Sequence, residues 1–156
     1  MLVLNKIKNT AHVVSFKAHK ALENGEFVAI GKLDASAAYG VGEIFEAATP
    51  SATTKKAKVC LVAGVEMMAD DSMTPHDFKI AKGDVVRGIQ LEAGDVITIP
   101  VALIKNNSGL AVENTVVLGT DTKLEKKEAT GAELVACEVL ALPEISGVKS
   151  VQLLVL

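Results

Sequence analysis

The chain has no tryptophan, one tyrosine and only four phenylalanines in 156 residues. Platforms that stack sugar rings or nucleobases are built from aromatic side chains, so neither is expected here. Arginine is scarcer still. Arg87 stands alone against 15 lysines, and the net charge is −3. Binding to a phosphate backbone needs a basic face, and the one short basic run, Lys55, Lys56 and Lys58, reads as a solvated loop. Nucleic acid is therefore not an expected partner. Long apolar runs are also missing. The longest, "VITIPVALI" and "VCLVAGV", fall well below the roughly 18 to 20 residues that a membrane-spanning helix requires, and no membrane partner is expected. The first ten residues, "MLVLNKIKNT", lack the basic, apolar and small-residue order of an export signal, and none is expected. The two cysteines, Cys60 and Cys137, each lie inside an apolar run and read as buried free thiols.

What is abundant is small and branched. The chain holds 21 Ala, 20 Val, 16 Leu and 9 Ile, a composition that favours pleated, tightly packed sheets. Short apolar stretches alternate with turn signals along its whole length, the pattern of an all-β domain. "HVVSFKA", "EFVAIGKL", the region of Ile44 and Phe45, "AVENTVVLG", "LVACEVLAL" and "KSVQLLVL" read as strands, the last two as a hairpin across "PEISG". "AKVCLVAGV" is apolar almost throughout, as a strand covered on both faces should be. In "GDVITIPVALIK", Ile97, Ile99, Val101 and Leu103 share one face, and Pro100 predicts an edge or a bend. Helical periodicity is weak everywhere. The best stretch, "TKLEKKEA", has only Leu124 as a large apolar residue. The fold expected is a compact antiparallel β-sandwich or barrel-like domain over residues 13–156. It has little helix and is preceded by an extended N-terminal arm, residues 1–12.

The motif "GDV" occurs at Gly83 and again at Gly94. A phosphate loop needs more glycine and a following helix, and a calcium loop needs acids at alternate positions. Gly followed by Asp before a β-branched run is turn chemistry, because Gly accepts positive φ and Asp bonds nearby backbone. Asp70, Asp71, His76 and Asp77 gather within one stretch, but no regular spacing puts them on one face. Whether the loop 70–77 holds a metal stays open, and no metal is assigned. His12, His19 and His76 do not sit beside a Ser or Cys in a nucleophile elbow, so no catalytic residue and no cofactor are expected. Arg87 shares its parity with Val85, Ile89 and Leu91. It either pairs a carboxylate within the fold or at a subunit contact, or reaches solvent at a strand end.

The order of "NGEFVAIGKL", "GEIFEAATPS", "KVCLVAGVE", an acidic loop, "DFKIAKGDVVRGIQLEAGDVITI" and a closing "VKSVQLLVL" resembles the head decoration, or cement, proteins of tailed bacteriophages. The resemblance spans roughly residues 13–156. It implies a non-enzymatic virion protein that is made in the cytoplasm of a bacterial host. That protein would bind the major capsid protein on the outside of the capsid lattice, as a homotrimer or other homo-oligomer. It also implies an N-terminal segment that extends a capsid sheet. Leu2, Val3, Leu4, Ile7 and Arg87 are the candidate capsid or subunit contacts. Two other readings remain: another virion part such as a tail protein, or a small β-barrel enzyme or ligand-binding domain.

Overall fold

A computed structural model describes residues 1–8, 12–35, 43–66 and 77–156. Its strands are β1 (Val3–Lys6), β2 (Val13–Lys17), β3 (Phe27–Leu33), β4 (Ile44–Ala48), β5 (Val59–Val62), β6 (Val85–Ile89) and β7 (Val96–Pro100). They continue with β8 (Ile104–Lys105), β9 (Thr115–Leu118), β10 (Leu124–Lys126), β11 (Val135–Ala141), β12 (Glu144–Ile145) and β13 (Val148–Val155). Helix is limited, among the described residues, to single 3-10 turns at Lys56–Lys58 and Val101–Leu103. The all-β expectation holds, and the architecture has two parts. Five strands close into a barrel in the order β2-β4-β3-β5-β6, and the others form a sheet, β1-β7-β13-β11-β9-β10-β8, with β12 paired to β13. Pairing is antiparallel except for β2 with β4 and β8 with β10.

Alternation within each strand assigns its side chains to one of two cores. Phe16, Val28, Ile30, Cys60, Val62 and Val86 fill the barrel. Phe27, Val59 and Leu61 point the other way and join Ile97, Ile99, Val151, Leu153, Cys137 and Val139 between barrel and sheet. Strand β5 is therefore buried at every position, as its unbroken apolar sequence predicts. Gly88 on β6 makes room for the barrel's large residue. A Cβ there would lie 3.0 Å from Phe16 Cε1 and 3.1 Å from Cys60 Cβ.

The two "GDV" corners are the same turn. Gly83 and Gly94 have φ of 95° and 93°. Asp84 N–H donates to Ala81 O and Asp95 N–H to Glu92 O. In return Asp84 Oδ2 accepts Ala81 N–H at 2.9 Å, and Asp95 Oδ2 accepts Glu92 N–H at 2.8 Å. Two further turns repeat the device with other residues. At Gly25 (φ 98°) Glu26 Oε2 accepts Glu23 N–H, and at Glu113 (φ 68°) Asn114 Oδ1 accepts Ala111 N–H. Positive φ at the third residue is what a type II turn needs. Each turn opens a strand: β3, β6, β7 or β9.

Three expectations need correction. The strand through Pro100 does not run on to Leu103. It ends at Pro100 and becomes a 3-10 turn, because proline cannot donate to a ladder. Nor is β7 an edge strand, since it lies between β1 and β13; of the edge or bend expected at Pro100, the chain takes the bend. Strand β1 reaches only to Thr98, however, so the missing N–H of Pro100 leaves no bond to β1 unmade. The stretch around Leu124 is strand β10, and Leu124 is buried in the sheet core. Of the acidic cluster, Asp70, Asp71 and His76 lie outside the described residues.

Two predictions follow from burial. Asp95 is fully buried, and besides closing its turn it accepts Lys8 N–H at 2.9 Å through Oδ1. Asp84 closes the same turn in solvent. Asp95→Ala should cost about 2–3 kcal/mol, since it leaves two partly buried N–H donors without their acceptor, and Asp84→Ala less than about 1 kcal/mol. Urea unfolding of the two variants checks this, and equal losses would contradict it. Cys60 and Cys137 are free and 0% exposed, and burial pushes both thiols up to about 12, offset at Cys60 by a hydrogen bond from Gln90. The thiolate is the reactive form. An aromatic disulfide reagent at pH 8 should label neither cysteine in the native protein and both after unfolding.

Candidate functional site

The candidate contacts fall in two places. The first is the N-terminal edge. Val3 and Leu4 pair with Thr98 and Ile97 on β7, and Lys6 pairs with Val96. The register slips between Leu4 and Lys6, so Asn5 is the extra residue of a bulge. Its side chain is used: Asn5 Oδ1 accepts the hydroxyl of buried Thr98 at 2.6 Å. Leu2 and Ile7, on either side of the strand, pack against the sheet core. Lys8 is fastened twice, by its N–H to Asp95 and by an ion pair from Nζ to Glu92 at 3.5 Å. The segment was expected to extend away from the domain. In the structure residues 3–6 lie in the chain's own sheet, because two apolar anchors, a buried donor at Thr98 and a buried acceptor at Asp95 hold the segment there.

Strand β1 is the last strand at its end of the sheet. One side of its backbone faces β7, and among the described residues no strand lies beside the other. Leu4 is 38% exposed, and Asn5 and Lys6 are exposed with it. Such an edge can accept a strand from another chain. Lys6 and the bulge narrow the choice, since both are devices that blunt a free edge.

The second place is Arg87 on β6. Its parity with Val85 and Ile89 is as read from the sequence, but that face is not apolar throughout. Ile89 is buried, whereas Val85 and Arg87 are exposed. The inward face belongs to Val86 and Gly88. Arg87 stands across from Ser15 on β2. It is clasped to β5's continuation, where Ala63 N–H donates to Arg87 O and Arg87 Nε donates to Ala63 O at 3.1 Å. Beside it opens a cleft of ≈ 400 Å³ lined by Val65, Phe78, Asp84 and Val85. Val65 is 66% and Val85 57% exposed. Asp84 is occupied by Ala81 N–H.

Sequence reasoning missed Val13, Val65 and Val85 as surface residues, and Phe78 as a half-buried one. The signal for two of them lies in parity: Val13 alternates with Ser15 and Lys17, and Val85 with Arg87. An apolar residue in phase with charged ones sits on the solvent face of its strand. A further opening of ≈ 280 Å³ between barrel and sheet is lined by Phe27, Leu91, Leu134 and Val155, and Lys56 is its one charged lining residue. Among the described residues no three His, Cys, Asp or Glu side chains gather as a metal site would require.

No protein-family model matches the chain, and no curated protein is similar to it in sequence. In structure the chain is similar to the head fiber gp8.5 N base of bacteriophage phi29, with 11% of residues identical and a TM-score of 0.48 over 94% of this chain and 95% of that one. A likeness of that degree carries no inference about what this chain does.

Proposed function

We propose that this chain is a virion structural protein of a tailed phage, binding the outside of the capsid lattice and stabilising it. The major capsid protein would be its partner, and the chain would sit on the lattice as a homotrimer or other homo-oligomer. The observation that carries the reading is the open side of β1. It supports capsid docking because an added strand gains main-chain hydrogen bonds with little demand on sequence. The edge is already ordered by Thr98 and Asp95, so docking would not have to freeze a loose arm. Lys6 asks for a carboxylate on the incoming strand and Leu4 for an apolar neighbour. The order of strands and turns that resembles decoration proteins is the second support.

Co-sedimentation with capsids purified from the source phage tests this. The wild-type chain should pellet with capsids and raise the temperature at which they open. Leu4→Lys places a second charge on the edge at a half-open position. It should weaken binding at least tenfold, about 1.4 kcal/mol, with an unchanged far-ultraviolet spectrum. A wild-type chain that stays in the supernatant would sink the proposal.

A further inference from the structure

We infer that Arg87 and the cleft beside it are a second docking surface, built for a protein segment that presents a carboxylate between apolar side chains. The inference rests on the capsid-binding reading for the identity of its partner, an acidic segment on the outer face of the capsid subunit. Its chemistry rests on the cleft alone.

Three observations lead to it. The first is the choice of residue. In a chain that otherwise uses lysine for every cation, the one guanidinium stands in this cleft. Arginine differs from lysine by a planar fork that meets a carboxylate with two parallel hydrogen bonds. The second is its setting. Strand β6 is held on both sides, by β2 and β5, and Nε is tied to Ala63 O. The root of the side chain is therefore fixed and little rotamer freedom remains to be lost on binding. The third is the company it keeps. Val65 and Val85 are more than half exposed, and half-buried Phe78 forms part of the wall. An apolar wall raises the strength of an ion pair formed against it by excluding water.

Three of the other charges near the cleft are engaged elsewhere. Lys17, on β2 opposite Val85, is paired with Asp34 at 3.3 Å. Lys79 reaches Glu23 at 3.9 Å, and Asp84 is turned back onto its own turn. The occupant that fits has an Asp or Glu aimed at the guanidinium, with aliphatic neighbours against Val65, Phe78 and Val85.

Capsid binding by Arg87→Lys and Arg87→Ala, each checked for folding by circular dichroism, tests the partner. Both variants should bind at least tenfold more weakly than wild type, the lysine failing because it keeps the charge and loses the fork. Wild-type affinity in both variants would overturn the inference while leaving the β1 reading standing. The chemistry is tested without capsids, by nuclear magnetic resonance titration of the wild-type chain with acetyl-Leu-Asp-Leu-amide and with acetyl-Leu-Asn-Leu-amide. Shifts at Arg87 Nε–H, Val65, Phe78 and Val85 with the aspartate peptide, and not with the asparagine peptide, uphold the cleft even if no capsid binds. Absence of those shifts overturns it.

Discussion

Strands β3 and β5 belong to two cores at once, and the rest of the molecule is arranged around that constraint. Val28, Cys60 and Val62 face into the barrel, while Phe27, Val59 and Leu61 face the sheet. A strand buried on both faces cannot alternate apolar with polar, which is why "VCLV" is apolar without interruption. Fully burying each Val, Leu or Phe contributes about 1.5–3 kcal/mol, and these side chains act on both sides of one short ladder. The scarcity of aromatics fits the same scheme. Phe16 is fully buried in the barrel and Phe27 in the sheet core, and the remaining volume is filled by Val, Leu and Ile. Small branched residues let the two layers approach closely, but they leave little tolerance. The backbone of β6 can pass Phe16 only as glycine.

Barrel and sheet are also joined by polar groups, and these come from the turns. Gly25 brings its turn so close to β7 and the 3-10 segment after it that a Cβ would lie 2.9 Å from Ile99 Cγ2 and 3.0 Å from Leu103 Cδ1. Glu26 closes that turn with one carboxylate oxygen and accepts the hydroxyl of Thr122, in the loop before β10, with the other at 2.8 Å. Thr122 O in turn accepts Phe27 N–H at 2.7 Å, and its hydroxyl accepts from Lys20 Nζ. A buried carboxylate is tolerated where its oxygens are met in this way. The same division of labour appears at Asp95, where one oxygen closes a turn and the other fastens the N-terminal segment. A local turn motif thus becomes a long-range tie wherever the spare oxygen is buried.

Much of this was legible in the sequence. Alternation and turn residues located β2, β3, β4, β5, β9 and the β11–β13 hairpin, and Gly-Asp marked two corners correctly. The tip of that hairpin could also be read in "ISG", since Ser146 and Gly147 both take positive φ between the two-residue β12 and the start of β13. Pairing between distant strands has no local signature, however. Nothing in "SFK" and "IFE" announces that β2 and β4 run parallel. The split into barrel and sheet follows from which strands close on one another, and no single stretch records that. Leu124 shows the limit of periodicity, because one apolar residue in a charged stretch is compatible with either a strand or a helix. The β1 register depends on Thr98 and Asp95, some 90 residues away. At Arg87 the alternation was right and the environment was not. The outer face of β6 is buried at Ile89 and open by Arg87 and Val85, so one parity carries both kinds of residue.

The architecture also restricts where another chain could add a strand. A closed barrel has no edge, so β2 to β6 offer none. Among the described residues the sheet has two ends, β1 and β8. Strand β8 is two residues long, and Asn106, with φ of 53°, turns the chain away immediately after it. Its side chains are tied back toward β10, by the Lys105–Asp121 ion pair and by Asn106 Nδ2 donating to Glu125 Oε1. Too little backbone is left in line there to hold a ladder. Strand β1 is twice as long, is anchored from behind by the buried side chains of Thr98 and Asp95, and carries its own restraint in the Asn5 bulge and Lys6. An edge that is rigid, short and charged at one end pairs poorly with arbitrary strands. It pairs well with one that brings the opposite charge in the right register, so the edge is selective without being closed.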